Sequence, residues 1–299
     1  MNGGVCPSCG KAVFDPFQMN LLRCNACSLV VDPAVWRQSA NETFGDEWFG
    51  EDYNTQLSPW VKRFEGWNNQ RTFRRIATLE HAGQRLLEIG VGSGSFLQFM
   101  KSRGFDVMGC DLSEAICKHV QRKYSIPMHC GYVTKLDDRP QFDIVVMNHV
   151  LEHVADPVGF LRDIQRRIKP GGVLHIAVPN IASWGAHLPG WTSYEPYHLL
   201  YFTPETLRQT VEQAGFVVEC QMTHESFSGW FLAALRTLLK TYQSQASIRT
   251  ETRDARATSL VEHAYRLAMV GSGAITFPLR FVQGRFGKGD EAILIARAA

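Results

Sequence analysis

Cys6 and Cys9 form one CxxC pair and Cys24 and Cys27 a second, with fourteen residues between them. Two such pairs can each fold as a tight knuckle that offers two thiolates to one tetrahedral Zn2+. The intervening KAVFDPFQMNLLR is long enough for a short hairpin that brings the knuckles together, at one residue under the usual spacing. Two disulfides, or a redox CxxC, are the competing chemistries, and both are weaker in a chain without a visible secretory signal. So short a segment buries no core of its own, so a metal would supply much of its folding free energy. The other four Cys, at 110, 117, 130 and 220, are scattered and read as small buried apolar residues.

A second constellation opens at Glu88. Glu88-Ile-Gly90-Val-Gly92-Ser-Gly94 follows the apolar run at 85–90 and leads into an amphipathic stretch. Glycines there let the backbone turn tightly and let a ligand approach without Cβ contact. A nicotinamide fingerprint wants Gly or Ala where Ser95 stands, and an acid two residues before the first Gly is not part of it. Asp111 ends the next apolar run, 21 residues after Gly90. A carboxylate so placed can accept both ribose hydroxyls of a bound nucleoside.

The elements that must position these groups alternate. Apolar runs at 85–90, 105–111, 128–132, 142–148, 173–180 and 216–222 predict six strands, and AILIARA at 292–298 a seventh at the sheet edge. Between them, helical periodicity begins after Ser58-Pro59 and stops at Gly83. It recurs after Gly94 up to Gly104, and again over 113–125. Asp156-Pro157 starts a helix that Pro170-Gly171-Gly172 ends, and Thr203-Pro204 starts one closed by Gly215. Strands alternating with helices imply an α/β fold, a doubly wound, mostly parallel, seven-stranded sheet of Rossmann-like type. The expected organisation is a zinc ribbon at 1–35, a connector and N-terminal helix at 36–82, and a core at 83–299. Within the core, FSGWFLAALRTLLKTY and SLVEHAYRLAMV predict two helices of an insertion or lid at about 223–290, before the last strand.

LLEIGVGSG, GCDLSE, NHVLEHVADP and RIKPGGVLHIAVPN, in this order and spacing, resemble the class I S-adenosylmethionine-dependent methyltransferases over about residues 83–222. The resemblance implies that Gly90, Gly92 and Gly94 line the methionine end of S-adenosylmethionine, with Glu88 near its amino group. Asp111 would hold the ribose, Leu112 would pack near the adenine, and Asn148 would border the methionine moiety. A CxxC ribbon followed by HLLYFTPETL is similar to a branch that tailors glycans and natural products. Its sugar C-methyltransferases carry Tyr-His-Glu-His-x-x-Tyr-Phe, of which only His198, Tyr201 and Phe202 match here. O-methylation of a sugar, quinol or similar small acceptor is therefore set beside ketosugar C-methylation.

Methyl transfer to a hydroxyl also needs a proton acceptor, and His can serve near neutral pH. His149 and His153 in NHVLEH and His198 are the candidates, His198 foremost because Tyr194, Tyr197 and Tyr201 surround it as acceptor contacts. Hydrogen bonding that orients the loop is the structural alternative for His149, His153 and Glu152.

Composition bounds the rest. Thirty-one Lys and Arg against 29 Asp and Glu leave +2, which argues against a nucleic-acid-wrapping protein and hence against an RNA methyltransferase that uses the ribbon to grip its substrate. A cofactor-binding module without turnover is disfavoured by the intact glycines and Asp111. The partners expected are a small-molecule acceptor, including a sugar or lipid-linked glycan, and peripheral membrane contact through 227–285. No apolar run approaches the ~20 residues needed to span a bilayer, and the expected compartment is the cytoplasm.

Overall fold

Leu86, Leu87 and Ile89 are all buried, so strand β4 (Arg85–Ile89) has both faces covered, as a central strand of a parallel sheet must. The computed structural model describes residues 5–34, 59–77, 79, 83–195, 197–225, 229–239 and 276–298. Ahead of β4 lie β1 (Phe14–Pro16), β2 (Leu22–Cys24), β3 (Val30–Val31) and helix α1 (Pro59–Ala77). After it come α2 (Ser95–Lys101), β5 (Asp106–Asp111), α3 (Glu114–Tyr124), β6 (Met128–Cys130), β7 (Phe142–Asn148), α4 (Pro157–Gln165) and β8 (Ile168–Pro179). The chain continues through β9 (Leu200–Tyr201), α5 (Pro204–Gln213), β10 (Phe216–His224), α6 (Gly229–Leu238), α7 (Phe277–Arg285) and β11 (Glu291–Ala298).

Seven strands form one sheet in the order β10-β11-β8-β7-β4-β5-β6. The pairs β4–β5, β4–β7, β5–β6 and β7–β8 are parallel, so the order reverses between β4 and β7. That reversal is where open α/β sheets bind ligands, beyond the carboxyl ends of the strands. Helix starts follow local chemistry. Ser113 Oγ accepts from Ile116 N at 3.2 Å ahead of α3. Asp156 Oδ1 accepts from Gly159 N at 2.9 Å ahead of α4, with Pro157 in the first turn. Each such cap is worth ~1 kcal/mol.

Three expectations need correction. Strand β11 lies between β10 and β8, not at the edge, because Ala292 to Ala296 are buried throughout and need neighbours on both sides. Helix α4 ends at Gln165, and Lys169-Pro170-Gly171-Gly172 belong to β8. The ladder register jumps from Phe142↔Ile168 to Ile144↔Val173, so these residues are a bulge. Gly171 supplies the positive φ of 73°, and a Cβ on Gly172 would sit 2.9 Å from the Asp143 carbonyl. The third correction is β6, which stops at Cys130: the Gly131 N–H makes the last ladder bond, to the Asp111 carbonyl at 2.8 Å, and the φ of 133° at Gly131 then turns the chain out of the strand. Helix α6 falls within the stretch expected to be helical, and α7 was not foreseen. The helix expected at 259–270 and the connector at 36–57 lie outside the described residues.

The chain divides into two compact units. One holds the described residues of 1–37, 178–207 and 221–293, the other those of 38–177, 208–220 and 294–299. In the first, β1, β2, β3 and β9 form a four-stranded antiparallel sheet in that order. Leu21, Val30, Ile181, Ala186, Trp191 and Tyr201 pack as its core. In the second, Leu86, Ile144 and Val146 of the sheet pack with Leu97 and Met100 of α2 and Val120 of α3. Full burial of each such side chain stabilises by about 1.5–3 kcal/mol. Among the described residues, no helix is long and apolar enough to cross a membrane.

Candidate active site

The loop from β4 to α2 carries three left-handed glycines: Gly90 at φ 73°, Gly92 at 54° and Gly94 at 74°. Their demands differ. A Cβ on Gly90 would meet Val150 Cγ2 at 2.4 Å and one on Gly94 would meet Val120 Cγ2 at 2.8 Å, so packing excludes side chains there. A Cβ on Gly92 would meet none of the described residues within 4 Å, so the loop is open on that side among them.

Glu88 is buried beneath that loop, at 5% exposure. Burial, with the nearby Asp111 charge adding, pushes its carboxyl well above the usual carboxylate range. Its Oε2 has no hydrogen-bond partner among the described residues. A buried acceptor left in this state is costly unless a ligand meets it. Asp111, ending β5, takes Val91 N on Oδ2 at 2.8 Å and Ser113 N on Oδ1 at 2.9 Å. Burial raises its pKa against the pull of these N–H groups. The N–H groups of Gly92 and Leu112 also face this carboxylate. Leu112 beside it is 43% exposed, an apolar surface at the sheet's carboxyl edge.

Asn148 ends β7, and His149 follows in the left-handed region at φ 55°. The His149 N–H donates to the Ala177 carbonyl at 2.8 Å, which holds this turn against β8. His149 Nδ1 lies 3.3 Å from Oε1 of Glu152, whose side chain is 1% exposed while that of His149 is 52% exposed. A buried carboxylate thus stands at ion-pair distance from an accessible histidine ring. His153 is half-buried in the same short turn, Leu151–His153.

In the other unit, the aromatic segment is packed. His198 is 4% exposed, with Nδ1 2.9 Å from the Ser193 carbonyl and Nε2 3.5 Å from Glu195 Oε2. Tyr201 is 1% exposed inside the core, and burial drives its hydroxyl pKa well above the usual value. Tyr194 OH donates to the Ala186 carbonyl at 2.6 Å and accepts from Gln18 Nε2 at 2.9 Å. Tyr197 is half-buried against the His198 ring at 5.4 Å.

Cys6, Cys9, Cys24 and Cys27 come together with all four Sγ atoms within 4.8 Å of one another, and none is in a disulfide. Gly10 N donates to the Cys6 carbonyl and Ser28 N to the Cys24 carbonyl, each at 2.8 Å, and Gly10 and Ser28 both have positive φ. The two knuckles are therefore conformational copies. Burial raises Cys6 to about 11. Cys24 is also penalised by burial, but the N–H groups of Cys27 and Ala26 outweigh that and bring it down to about 7. Four clustered sulfurs of this kind fit a tetrahedral thiolate metal site.

A family model described as a methyltransferase domain matches residues 49–221, more than half of the chain. This chain belongs to the class I S-adenosylmethionine-dependent methyltransferases. The methyltransferase is 31% identical over 163 residues to a probable S-adenosylmethionine-dependent methyltransferase of Mycolicibacterium smegmatis, covering 54% of this chain and 60% of that protein. It is 31% identical over 150 residues to the ubiquinone biosynthesis O-methyltransferase of Idiomarina loihiensis, covering 44% of this chain and 61% of that one. With the Pseudomonas aeruginosa ubiquinone biosynthesis O-methyltransferase the identity is 33% over 106 residues, covering 33% and 46%. The chain thus spans 46 to 61% of the length of these relatives. Among solved structures, a SAM dependent methyltransferase from Archaeoglobus fulgidus has TM-score 0.51 and 18% identity, covering 84% of this chain and 98% of that one. A putative sarcosine dimethylglycine methyltransferase from Galdieria sulphuraria has TM-score 0.50 and 15% identity, covering 84% and 95%. At these identities the likeness shows the fold.

The residues of the methyltransferase fit its family's cofactor. The unmet Glu88 oxygen suits a cationic amino group, and the open face at Gly92 leaves room for a ligand. Two loop supports were missed by sequence reading. Ser93 Oγ donates to Glu65 Oε1 at 2.9 Å, and Asn69 Nδ2 donates to Ser95 Oγ at 3.3 Å. Glu65 and Asn69 are one helical turn apart on α1, and that i, i+4 spacing was their only advance signal.

Proposed function

We propose that this chain transfers a methyl group from S-adenosylmethionine to a hydroxyl of a small-molecule acceptor, such as a sugar, quinol or lipid-linked glycan. The observation that carries the cofactor half of this reading is Glu88, a carboxyl buried under an open glycine loop with an oxygen that the protein leaves unmet. When bound, S-adenosylmethionine supplies an electrophilic methyl on a sulfonium. Glu88 would take its amino group, the Gly90–Gly94 loop would allow close approach, Asp111 would accept ribose hydroxyls, and Leu112 would pack on the adenine. Asn148 would border the methionine portion.

For the acceptor half, His149 is the base. It is accessible, it stands just past the carboxyl end of β7, and the buried Glu152 carboxylate lies 3.3 Å from its Nδ1, close enough to stabilise the protonated ring. Proton removal by such a group contributes about 10²- to 10⁴-fold, and orienting the acceptor oxygen contributes the rest. His198, with both ring nitrogens engaged inside its own segment, is read instead as an organiser of the acceptor segment with Tyr194, Tyr197 and Tyr201. Cys6, Cys9, Cys24 and Cys27 would hold Zn2+ as a structural ion. The curated relatives named as O-methyltransferases support oxygen as the acceptor atom.

The test is transfer of labelled methyl from the cofactor to a panel of sugars, quinols and RNA. Transfer to a small hydroxyl compound that His149→Asn abolishes is the expected result. Transfer to RNA alone, or saturable cofactor binding without turnover on any acceptor, would overturn it.

A further inference from the structure

Helix α7 is turned inside out. Its polar Gln283 is fully buried, with Nε2 donating to Glu225 Oε2 at 2.8 Å and to the Lys288 carbonyl at 2.7 Å. Its apolar residues face outward: Phe281 is 71% exposed, with Leu279, Val282 and the following Phe286 exposed beside it. At 3.6 residues per turn Phe281, Arg285, Val282, Phe286 and Leu279 sweep one half of the circumference, opposite the half that holds Gln283 and Gly284. An outward apolar face of this kind costs solvation free energy unless something covers it. Acids lie on the inner side, where Glu225 accepts from Gln283, and bases on the helix itself. Between 277 and 288 stand Arg280, Arg285 and Lys288 and no acid. A groove of about 310 Å³, lined by His224, Arg280, Phe281 and Arg285 among others, opens beside that face. Glu225, which also lines it, is pushed up to about 8 by burial, with Asp290 adding, so the groove is short of negative charge at neutral pH.

We propose that this face docks on an anionic lipid bilayer, with Phe281 and Phe286 entering the interface and Arg285 and Lys288 against phosphate headgroups. Aromatic residues and bases on one face are the composition that holds a helix in the plane of a membrane surface. The inference is independent of the acceptor, and its failure would leave the methyl-transfer reading untouched.

The test is co-sedimentation of the full chain with vesicles of phosphatidylcholine alone and with vesicles containing a third phosphatidylglycerol. Binding to the anionic vesicles only is expected, with partition falling about fivefold for each basic residue neutralised. The double substitution Phe281→Asp, Phe286→Asp should abolish it, while melting temperature and cofactor affinity stay as in the parent chain. Arg285→Glu with Lys288→Glu supplies a second, fold-neutral probe. Equal sedimentation with and without anionic lipid, or none with either, overturns the proposal. So does a concentration-dependent dimer that the Phe variants dissociate, which would give the face to a second copy of this chain.

Discussion

The side-chain amide of Gln18 donates a 2.9 Å hydrogen bond to the hydroxyl of Tyr194, 176 residues further along the chain, and the same amide reaches the Ala186 carbonyl at 2.8 Å. Gln18 lies on the loop between the two Cys knuckles. The backbone repeats the link, because Val30 and Val31 pair with Tyr201 and Leu200, and Asp32 N donates to the Leu199 carbonyl at 2.9 Å. The Cys-bearing hairpin is thus one edge of the sheet whose other edge is the His198–Tyr201 segment.

Removal of the proposed Zn2+ tests that linkage. Chelation should expose the amides of Val30, Val31 and Leu200 to hydrogen exchange and raise the acceptor KM. The cofactor Kd should stay unchanged, since the glycine loop belongs to the other unit. Cofactor affinity lost in parallel would mean that the ribbon supports the whole fold.

Asp111→Ala should weaken cofactor binding by about 1.5–3 kcal/mol, the range for a hydrogen bond to a charged group. It also strips Val91 N and Ser113 N of their acceptor, so loop order should fall with affinity. Calorimetry that finds the parent affinity would remove Asp111 from the ribose site.

Glu88 should release a proton when the cofactor binds. Burial keeps its carboxyl protonated to an unusually high pH, and a cation placed against it lowers that pKa, so the bound state holds fewer protons. Titrations in buffers of different ionisation enthalpy measure the number released. Glu88→Gln should bring it to zero and weaken binding.

His149→Asn is the informative change at the proposed base, because Asn also tolerates the left-handed backbone that His149 adopts. Turnover should drop about 10²- to 10⁴-fold with cofactor affinity retained. Glu152→Gln should produce a smaller drop and move the pH–rate profile, since it acts through the ring. A turnover loss matched by a lower melting temperature in both variants would make the pair structural.

Glu225 sets a pH dependence of stability. Its folded pKa of about 8 is above the unfolded value near 4.5, so the folded state binds the extra proton. Stability should therefore fall as pH rises from about 4.5 to about 8 and level off above that. Glu225→Gln should flatten this window, as read from melting temperatures across the range. An unchanged slope would show that the carboxyl titrates normally in the fold.

What the chain determined by itself was local. Short apolar runs, glycines with positive φ and capping residues such as Asp156 act over a few residues, so the strands, the cofactor loop and the Cys knuckles were legible in order. The Pro170-Gly171-Gly172 stretch misled because a helix stop and a strand bulge use the same residue types, and only the partner strand β7 distinguishes them. Tertiary structure alone decided what distance in sequence conceals. It seated β11 inside the sheet, buried His198 while leaving His149 accessible beside Glu152, and pointed the apolar side of α7 outward. It also joined the Cys hairpin to residues 199–201. Each of these outcomes depends on which surface another segment covers, and periodicity measures only how a segment divides its own faces.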